Sequence, residues 1–506
     1  IRDGLIEAVG TDVAPPADAV VIDGEGMVVW AGWIDPYSHL GMQQRREEEG
    51  GGGGFDITAL LRGQQQQPGT GHPLELVHPQ YRVTSELVTD DGNIGRRREL
   101  GFTAALAVPR DGIYRGASAL IALRDAHPRE MIIDPETAQH VGFDSGNFLG
   151  GYPTSFIGAM ATVRQVMYDT RRYMTWTERY RDDPRGMARP DYNDAFAALA
   201  RAMGETRVVV EANSPNMIER VLDLAVEFDV DPIIVGSGRE YEVIELIRDS
   251  GRRFIIPVDY PDEPDVSDPE RLPSVSLESL RHWEHAPYNS VELAEAGVTF
   301  AFTAYDLGNA RNFVPNVRRS IDAGLPREAA LAAVTTAPAA MLGVDDVLGT
   351  LEAGKIANVV VADGEPFAEE TEIRHVFVDG HHYEFEAEET VGDPDAVVDP
   401  TGTWAVTGTV MGDTQDATWI IEGEPGDYSG RTESDRGTIE FESVTLEGNA
   451  MTVVIPQPDG RGVIEPTVVI EGDEFSGSAT VDAPGGQTIT ISFEGERVSG
   501  PEGGGR

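Results

Sequence analysis

The feature that most constrains this chain is an alternation of strand-length apolar runs with amphipathic helical stretches over about 300 residues. Repeated strand–helix units predict parallel strands. We expect them to close into a (β/α)₈, TIM-like barrel, with a doubly wound open sheet as the alternative. The strand-like runs are Phe102–Val108, Arg207–Ala212, Pro232–Val235, Phe254–Val258 and Val298–Thr303, and the clearest helices are Asn216–Phe228 and Arg239–Arg248.

The last part of the chain has a different pattern. A linker predicted at 387–401 contains the Pro- and Asp-rich segment "VGDPDAVVDP". Beyond it, about seven or eight short alternating runs are joined by Gly and Asp turns, which predicts a separate antiparallel barrel or sandwich at 402–506. Near the start of the chain, the repeats Gly50–Gly54 and Gln64–Gln67 predict a surface insertion rather than a lid over the barrel.

The charge of the chain restricts its partners. There are 87 acidic and 39 basic residues among 506, a net charge of −48. Such a surface repels nucleic acid and anionic lipid. Because the acidic residues are spread along the whole chain, we expect a protein of halophilic origin that works in concentrated salt.

No apolar run approaches the roughly 18 residues of a membrane span, and the absence of cysteine excludes disulfides and thiolate ligands.

The first residues leave the cellular compartment open. The chain begins at Ile1, without methionine and inside a strand–turn pattern. We therefore expect that an N-terminal segment, with any signal peptide, is missing from this sequence. The cytoplasm of a halophile and export from the cell both stay open as locations.

The segment "GWIDPYSHLGM", residues 32–42, carries the first candidate site residues. Two histidines on alternate residues of a strand point the same way and can bind one metal ion together. This segment has a single histidine, His39, and Tyr37 stands where the second would be. Asp35 lies at the same strand end and either takes part in catalysis or hydrogen-bonds the strand–loop junction.

Further segments carry a family resemblance. Together with "GWIDPYSHLGM", the segments "AALAAVTTAPAAMLGVDDVLGTLEAGKIANVVVADGEPF" and "IRHVFVDGHHYEF" resemble the amidohydrolase superfamily, in its imidazolonepropionase-like branch. The resemblance covers residues 1–385. It implies a barrel at 34–348 and a small β-sandwich composed of 1–33 and 349–386. The implied chemistry is attack of metal-bound hydroxide on an amide-like carbonyl or a related group, which hydrolyses a C–N bond other than a peptide bond.

The resemblance also implies metal-ligand positions, of which few hold a standard ligand. His39 is kept on the first strand, but its partner position is Tyr37, and neutral tyrosine is a weak ligand for zinc. The fifth-strand position holds Glu211 and the sixth falls at Gly236. The only lysine is Lys355, in the implied sandwich, so a carboxylated lysine cannot bridge two metals. We expect His39 and Glu211 to be the ligands of a zinc-like divalent metal, if one binds, and we predict that none binds tightly.

The catalytic aspartate that the resemblance implies on the eighth strand falls at Tyr305. Asp306 is adjacent and could replace it, although a shift of one residue along a strand turns a side chain to the other face. Our predicted catalytic residues are therefore Asp306 and Asp35.

Two functions follow from this sequence. The first is a hydrolase of non-peptide C–N bonds with a reduced or rearranged metal site. The second is a catalytically inactive pseudo-amidohydrolase that binds a small molecule or a protein partner. The sequence does not identify the ligand or substrate, and a homodimer is compatible with either function.

The charge leads to a prediction about salt. At low ionic strength, carboxylate repulsion is unscreened and should loosen the fold. We expect the thermal unfolding midpoint to rise as potassium chloride is raised from low to molar concentration. A flat or falling midpoint in such a series of melts would contradict the halophilic interpretation.

Overall fold

The computed structural model of the chain has two compact units, Ile1–Phe385 and Glu386–Arg506, each with its own hydrophobic core. The predicted Gly- and Gln-repeat insertion and part of the predicted linker lie outside the described residues. The described residues are 1–42, 70–88, 92–145, 152–203, 206–261, 264, 275–369, 371–385, 392–393, 396–410, 413–425, 427–434, 437–456, 463–483 and 487–499.

The first unit alternates strands and helices through most of its length. Its strands are β1 (Val28–Ala31), β2 (Trp33–Ser38), β3 (Phe102–Ala107), β4 (Tyr114–Ala122), β5 (Ile132–Val141), β6 (Arg207–Glu211), β7 (Pro232–Val235), β8 (Arg253–Pro257), β9 (Phe300–Thr303), β10 (Val359–Ala362), β11 (Ile373–Val378) and β12 (His381–Glu384). Its α-helices are α1 (Gly92–Glu99), α2 (Pro128–Met131), α3 (Phe156–Asp182), α4 (Asp194–Ala202), α5 (Pro215–Phe228), α6 (Ile244–Ser250), α7 (Leu277–His285), α8 (Asn289–Glu295), α9 (Phe313–Asp322), α10 (Arg327–Val334) and α11 (Thr336–Leu342).

Strands β2 to β9 form one eight-stranded sheet in chain order. β2 is parallel to β3, and β5 to β9 are parallel to one another. β4 runs antiparallel to both of its neighbours. Only residues 108–113 connect β3 to β4. A parallel connection needs about a dozen residues or more, so this strand has to return in the opposite direction. Its first residues therefore lie at the edge where the parallel strands end.

Alternate residues of the barrel strands pack into two separate apolar cores, as strand geometry requires. Ile233 and Val235 belong to the interior core, to which every barrel strand contributes. Ile234, between them, belongs to the core beneath the helices, where α3 places Val163 and α5 places Val221. Burial on both faces explains why these strands read as continuous apolar runs rather than alternating ones.

The first and last barrel strands are joined by the side chain of Thr303. Its hydroxyl lies 2.6 Å from Asp35 Oδ1 and 2.7 Å from the carbonyl oxygen of Tyr37, both on β2. Outside the barrel, β1, β10, β11 and β12 form a four-stranded antiparallel sheet in that order. This sheet combines residues from before and after the barrel, as the predicted composite sandwich requires.

The second unit is a closed antiparallel barrel. Its eight ring strands pair in the order β14, β13, β22, β21, β20, β18, β17, β15, and β15 pairs with β14 to close the ring. Trp404, Trp419 and Phe475 fill its core, with the Trp419 and Phe475 rings stacked 5.3 Å apart. The strands are β13 (Gly402–Val410), β14 (Asp413–Glu424), β15 (Asp427–Ser434), β16 (Gly437–Glu440), β17 (Ser443–Glu447), β18 (Ala450–Pro456), β19 (Val463–Ile464), β20 (Thr467–Glu471), β21 (Glu474–Ala483) and β22 (Gln487–Ser499).

The predicted fold class is confirmed: a TIM-like barrel with a composite β-sandwich and a C-terminal β domain. Within the described residues, the antiparallel β4 departs from a regular (β/α)₈ order, and the sequence pattern did not indicate it. Across the described ranges, the structure has no helix that is both long and apolar enough to cross a membrane.

Candidate functional site

Polar side chains converge at the end of the barrel where the parallel strands finish, which we call the barrel mouth. In barrels of this kind, functional side chains come from the carboxyl ends of the strands. The reversed strand β4 contributes here too, because its start lies at the same end. The converging residues are Tyr37, His39, His140, Glu211 and Tyr305 from the parallel strands or the loops after them, and Arg115 from the second position of β4.

The Arg115 guanidinium is the centre of this group. It binds the Glu211 carboxylate with two parallel bonds, from Nη1 to Oε1 at 2.5 Å and from Nη2 to Oε2 at 2.8 Å. Nη2 also donates to Asp144 at 3.2 Å, and Nε donates to the carbonyl oxygen of Gly112 at 3.1 Å. The Tyr37 hydroxyl donates to Glu211 and accepts from Arg115 Nη1 at 3.3 Å. A paired geometry of this kind is the strongest that arginine makes with a carboxylate.

The protonation states of this network are fixed by burial and by the pairing. Burial and the neighbouring Glu211 raise the pKa of Tyr37 well above its ordinary value, so it remains a neutral phenol. Burial opposes the charge on Arg115, but the neighbouring Glu211 outweighs it and raises the pKa of Arg115 above the ordinary value. The group therefore consists of a guanidinium cation, a carboxylate and a phenol, with no phenolate to bind a metal.

Two histidines lie beside this network, and both are neutral near pH 7. The Nδ1 of His39 is 3.1 Å from the carbonyl oxygen of Val108, which leaves Nε2 as the acceptor nitrogen. Burial and the nearby Arg110 lower the pKa of His39 to about 4. His140 is fully buried, its ring lies 5.7 Å from that of Tyr37, and its pKa is lowered by burial and by Arg115 to about 3. Its Nε2 has no hydrogen-bond partner among the described residues.

Tyr305, rather than Asp306, faces the network from the eighth strand. The Tyr305 ring lies 4.9 Å from that of Tyr37 and 5.5 Å from that of His39, and burial and Asp306 raise its pKa to about 12. Asp306 is next in the chain, in the left-handed region with φ of 62°, and is exposed at the mouth. Partial burial, with Asp259 and Glu211 nearby, raises its pKa above the ordinary value.

Asp35 belongs to the barrel wall. It is fully buried, and its Oδ1 accepts hydrogen bonds from the Thr303 hydroxyl and, at 3.3 Å, from the Tyr37 amide. Burial raises its pKa. These bonds hold the strand end and join β2 to β9. They do not connect Asp35 to His39 or Glu211. A catalytic role for Asp35 stays a prediction.

The ligand position implied on the sixth strand is closed by a buried carboxylic side chain. A Cβ atom on Gly236 would lie 2.1 Å from Glu240 Oε1. Glu240 is itself fixed, because Oε1 accepts from the Ser237 amide at 2.7 Å and Oε2 accepts from Asn289 at 2.6 Å. Even alanine at Gly236 would require Glu240 to move.

Comparison with known proteins supports the family resemblance. A model of the Amidohydrolase family matches residues 297–382, from the eighth barrel strand to the sandwich. The amidohydrolase tasK of Hapsidospora irregularis is 23% identical, over 75% of this chain and 39% of that protein. This chain therefore spans about two fifths of the length of the curated relative it matches.

A solved structure matches the fold. The crystal structure of an amidohydrolase from Thermotoga maritima MSB8 superimposes with a TM-score of 0.60 at 19% identity, over 76% of this chain and 94% of that one. These similarities agree with the amidohydrolase resemblance of the sequence: the family model matches residues 297–382, and the solved structure has the same fold.

The residues at the barrel mouth do not fit the divalent metal that the amidohydrolase resemblance implies. Glu211 accepts two bonds from Arg115 and one from Tyr37, Tyr37 remains a phenol, and the position at Gly236 is closed. Within the described ranges, no three histidine, aspartate or glutamate side chains come together in a way that could hold a metal ion. Catalytic zinc usually has about three protein ligands and an open position for water. The assignment of His39 and Glu211 as metal ligands stays a prediction. In the structure, both carboxylate oxygens of Glu211 accept hydrogen bonds from the Arg115 guanidinium.

Sequence reasoning missed the residues that determine this arrangement. Arg115 lies in a strand whose other residues are mostly apolar and buried, and His140 lies in the buried second half of β5. The sequence offered one signal for them, a charged or titratable side chain within an otherwise apolar run. Such a side chain, once buried, requires a polar partner. For Arg115 this signal could not be used, because β4 was not recognised as a strand.

The Arg115–Glu211 pair gives a prediction about stability. Arg115→Met should cost about 3–5 kcal/mol of unfolding free energy, because a largely buried carboxylate loses its cation. Arg115→Met combined with Glu211→Gln should recover much of that loss. Denaturant unfolding in molar potassium chloride, analysed as a double-mutant cycle, measures this coupling.

A matched control is available on the surface. Arg164 binds Glu227 at 2.8 Å, with both side chains substantially exposed. Arg164→Met should therefore cost less than about 1 kcal/mol. If Arg115→Met costs no more than Arg164→Met, the mouth does not depend on the Arg115–Glu211 pair.

Proposed function

We propose that this protein is a pseudo-amidohydrolase whose barrel mouth binds a small molecule without a divalent metal. The observation that carries the proposal is the two-bond contact of Arg115 with Glu211, a carboxylate at an implied metal-ligand position. The first unit has the fold of the superfamily, so the barrel end at which ligands bind is kept. The contact between Arg115 and Glu211 takes the place of a metal site there.

The guanidinium can replace the charge of a metal but not its chemistry. Like a metal ion, Arg115 neutralises Glu211 and fixes the orientation of Tyr37. Unlike a metal ion, a guanidinium has no site for a bound water and cannot lower the pKa of water to produce hydroxide at neutral pH. The mouth thus keeps a rigid, charge-balanced lining and loses its source of nucleophile.

The lining indicates the kind of ligand. His39 offers a neutral ring nitrogen as acceptor, and Tyr305 remains a protonated phenol. Asp306 and Asp259 add exposed carboxylates at the edge. Acceptors and carboxylates together suit a molecule that carries an amine or amide N–H group. We propose that class of ligand for the mouth.

A second candidate is hydrolysis of a non-peptide C–N bond, the activity that the superfamily implies. Asp306 favours it, because its raised pKa and exposed position suit proton transfer at the mouth. This candidate requires a nucleophile, and a metal ion held by His39 would have to supply it after displacing Arg115 from Glu211.

We further propose that the protein works in concentrated salt, for which the support is the net charge of −48. Screening by salt would reduce repulsion among the carboxylates.

Metal content and activity separate the two candidates. The full chain is dialysed against zinc or manganese, freed of excess metal, and assayed by elemental analysis and for hydrolysis of cyclic amides and N-acyl amines. We expect well under one metal ion per chain, the same content for His39→Ala, and no turnover. About one ion per chain, lost in His39→Ala, with turnover lost in Asp306→Asn, would contradict the pseudoenzyme proposal and establish the second candidate.

A further inference from the structure

Away from the barrel mouth, the second half of helix α3 carries an unusual concentration of arginine. Residues 171–189, "RRYMTWTERYRDDPRGMAR", contain six arginines and three acidic residues. The chain as a whole has more than twice as many acidic as basic residues. This short stretch is therefore cationic within a strongly anionic protein.

The acidic residues of the stretch neutralise only part of this charge. Arg181 pairs with Glu178 and Asp182, and Arg185 pairs with Asp183 at 2.8 Å. Arg172 and Arg179 are exposed, and neither has a carboxylate partner among the described residues. Because acidic residues outnumber basic ones more than two to one in this chain, exposed arginines without a carboxylate partner are unexpected.

The uncompensated arginines surround a cavity of about 490 Å³, lined by Arg171, Arg172, Thr175, Trp176, Arg179 and Met187. Residues 172, 176 and 179 are four and three positions apart, which places them on one face of the helix. A volume in this range suits a small-molecule ligand. We call this feature the arginine–tryptophan cavity.

Two of the lining side chains are held in place by contacts outside the cavity. Arg171 donates from Nη2 to the carbonyl oxygen of Phe228 at 2.7 Å, and its guanidinium lies 5.0 Å from the centre of the Phe228 ring. The Trp176 Nε1 donates to the carbonyl oxygen of Ala188 at 3.1 Å, which fixes the indole against the following loop. The cavity therefore has a fixed cation and a fixed aromatic wall, with Arg172 and Arg179 available to bind.

We propose that the arginine–tryptophan cavity binds a phosphorylated small molecule with a planar ring, of the nucleoside diphosphate class. Guanidinium groups match phosphate oxygens in geometry and charge, and an indole provides a surface on which a planar ring stacks. The acidic surroundings repel long polyanions such as nucleic acid, whereas a small ligand fits within the local cationic region. This site does not depend on the function proposed for the barrel mouth.

Calorimetric titration of the full chain tests this site, with adenosine diphosphate, pyrophosphate and adenosine as separate probes. We expect adenosine diphosphate to bind more tightly than pyrophosphate, and adenosine alone to give no measurable heat. Loss of two charge-assisted contacts in Arg172→Gln/Arg179→Gln should weaken diphosphate binding by about tenfold or more. Trp176→Leu should bring the affinity for adenosine diphosphate down to that for pyrophosphate.

Arg181→Gln/Arg185→Gln is the matched control, because it removes the same charge from paired arginines outside the cavity. It should leave binding within about twofold of the unmodified chain. Absence of binding by both phosphate probes would overturn the proposal, as would equal weakening in the two double variants. Equal affinity for pyrophosphate and adenosine diphosphate, unchanged by Trp176→Leu, would overturn the assignment of a planar ring.

Discussion

The ion pair between Arg115 and Glu211 is the interaction on which the rest of the barrel mouth depends. It is possible because β4 is reversed, so that its second residue reaches the end of the barrel where β6 finishes. The reversal follows from the short connection at 108–113. Tyr37 and Asp144 are then arranged around the guanidinium rather than around a metal ion.

Under the function proposed above, the pair also explains how an amidohydrolase-like fold can be kept without a bound metal. A buried carboxylate without a cation is strongly unfavourable, so without a metal ion Glu211 needs another positive charge nearby. Arg115 supplies that charge from within the chain. The neighbouring changes agree with this: Tyr37 is a phenol, Gly236 is packed against Glu240, and His39 and His140 are neutral.

Much of the fold could be predicted from the sequence, but only part of the site. Apolar runs such as 232–235 and 254–258 identified barrel strands, since burial on both faces leaves a continuous apolar run of strand length. Glu211 and Gly236 could be placed by resemblance, because their strands hold a regular register. Arg115 could not, since it comes from an irregular strand and its partner is 96 residues away. Contacts between such distant residues leave no local pattern.

The most direct test of this account is a crystal structure of the protein soaked in zinc, with anomalous scattering measured at the zinc absorption edge. The account predicts no anomalous peak among Tyr37, His39 and Glu211, with the Arg115 guanidinium in a two-bond contact with Glu211. A peak coordinated by His39 and Glu211, with Arg115 turned away, would contradict it.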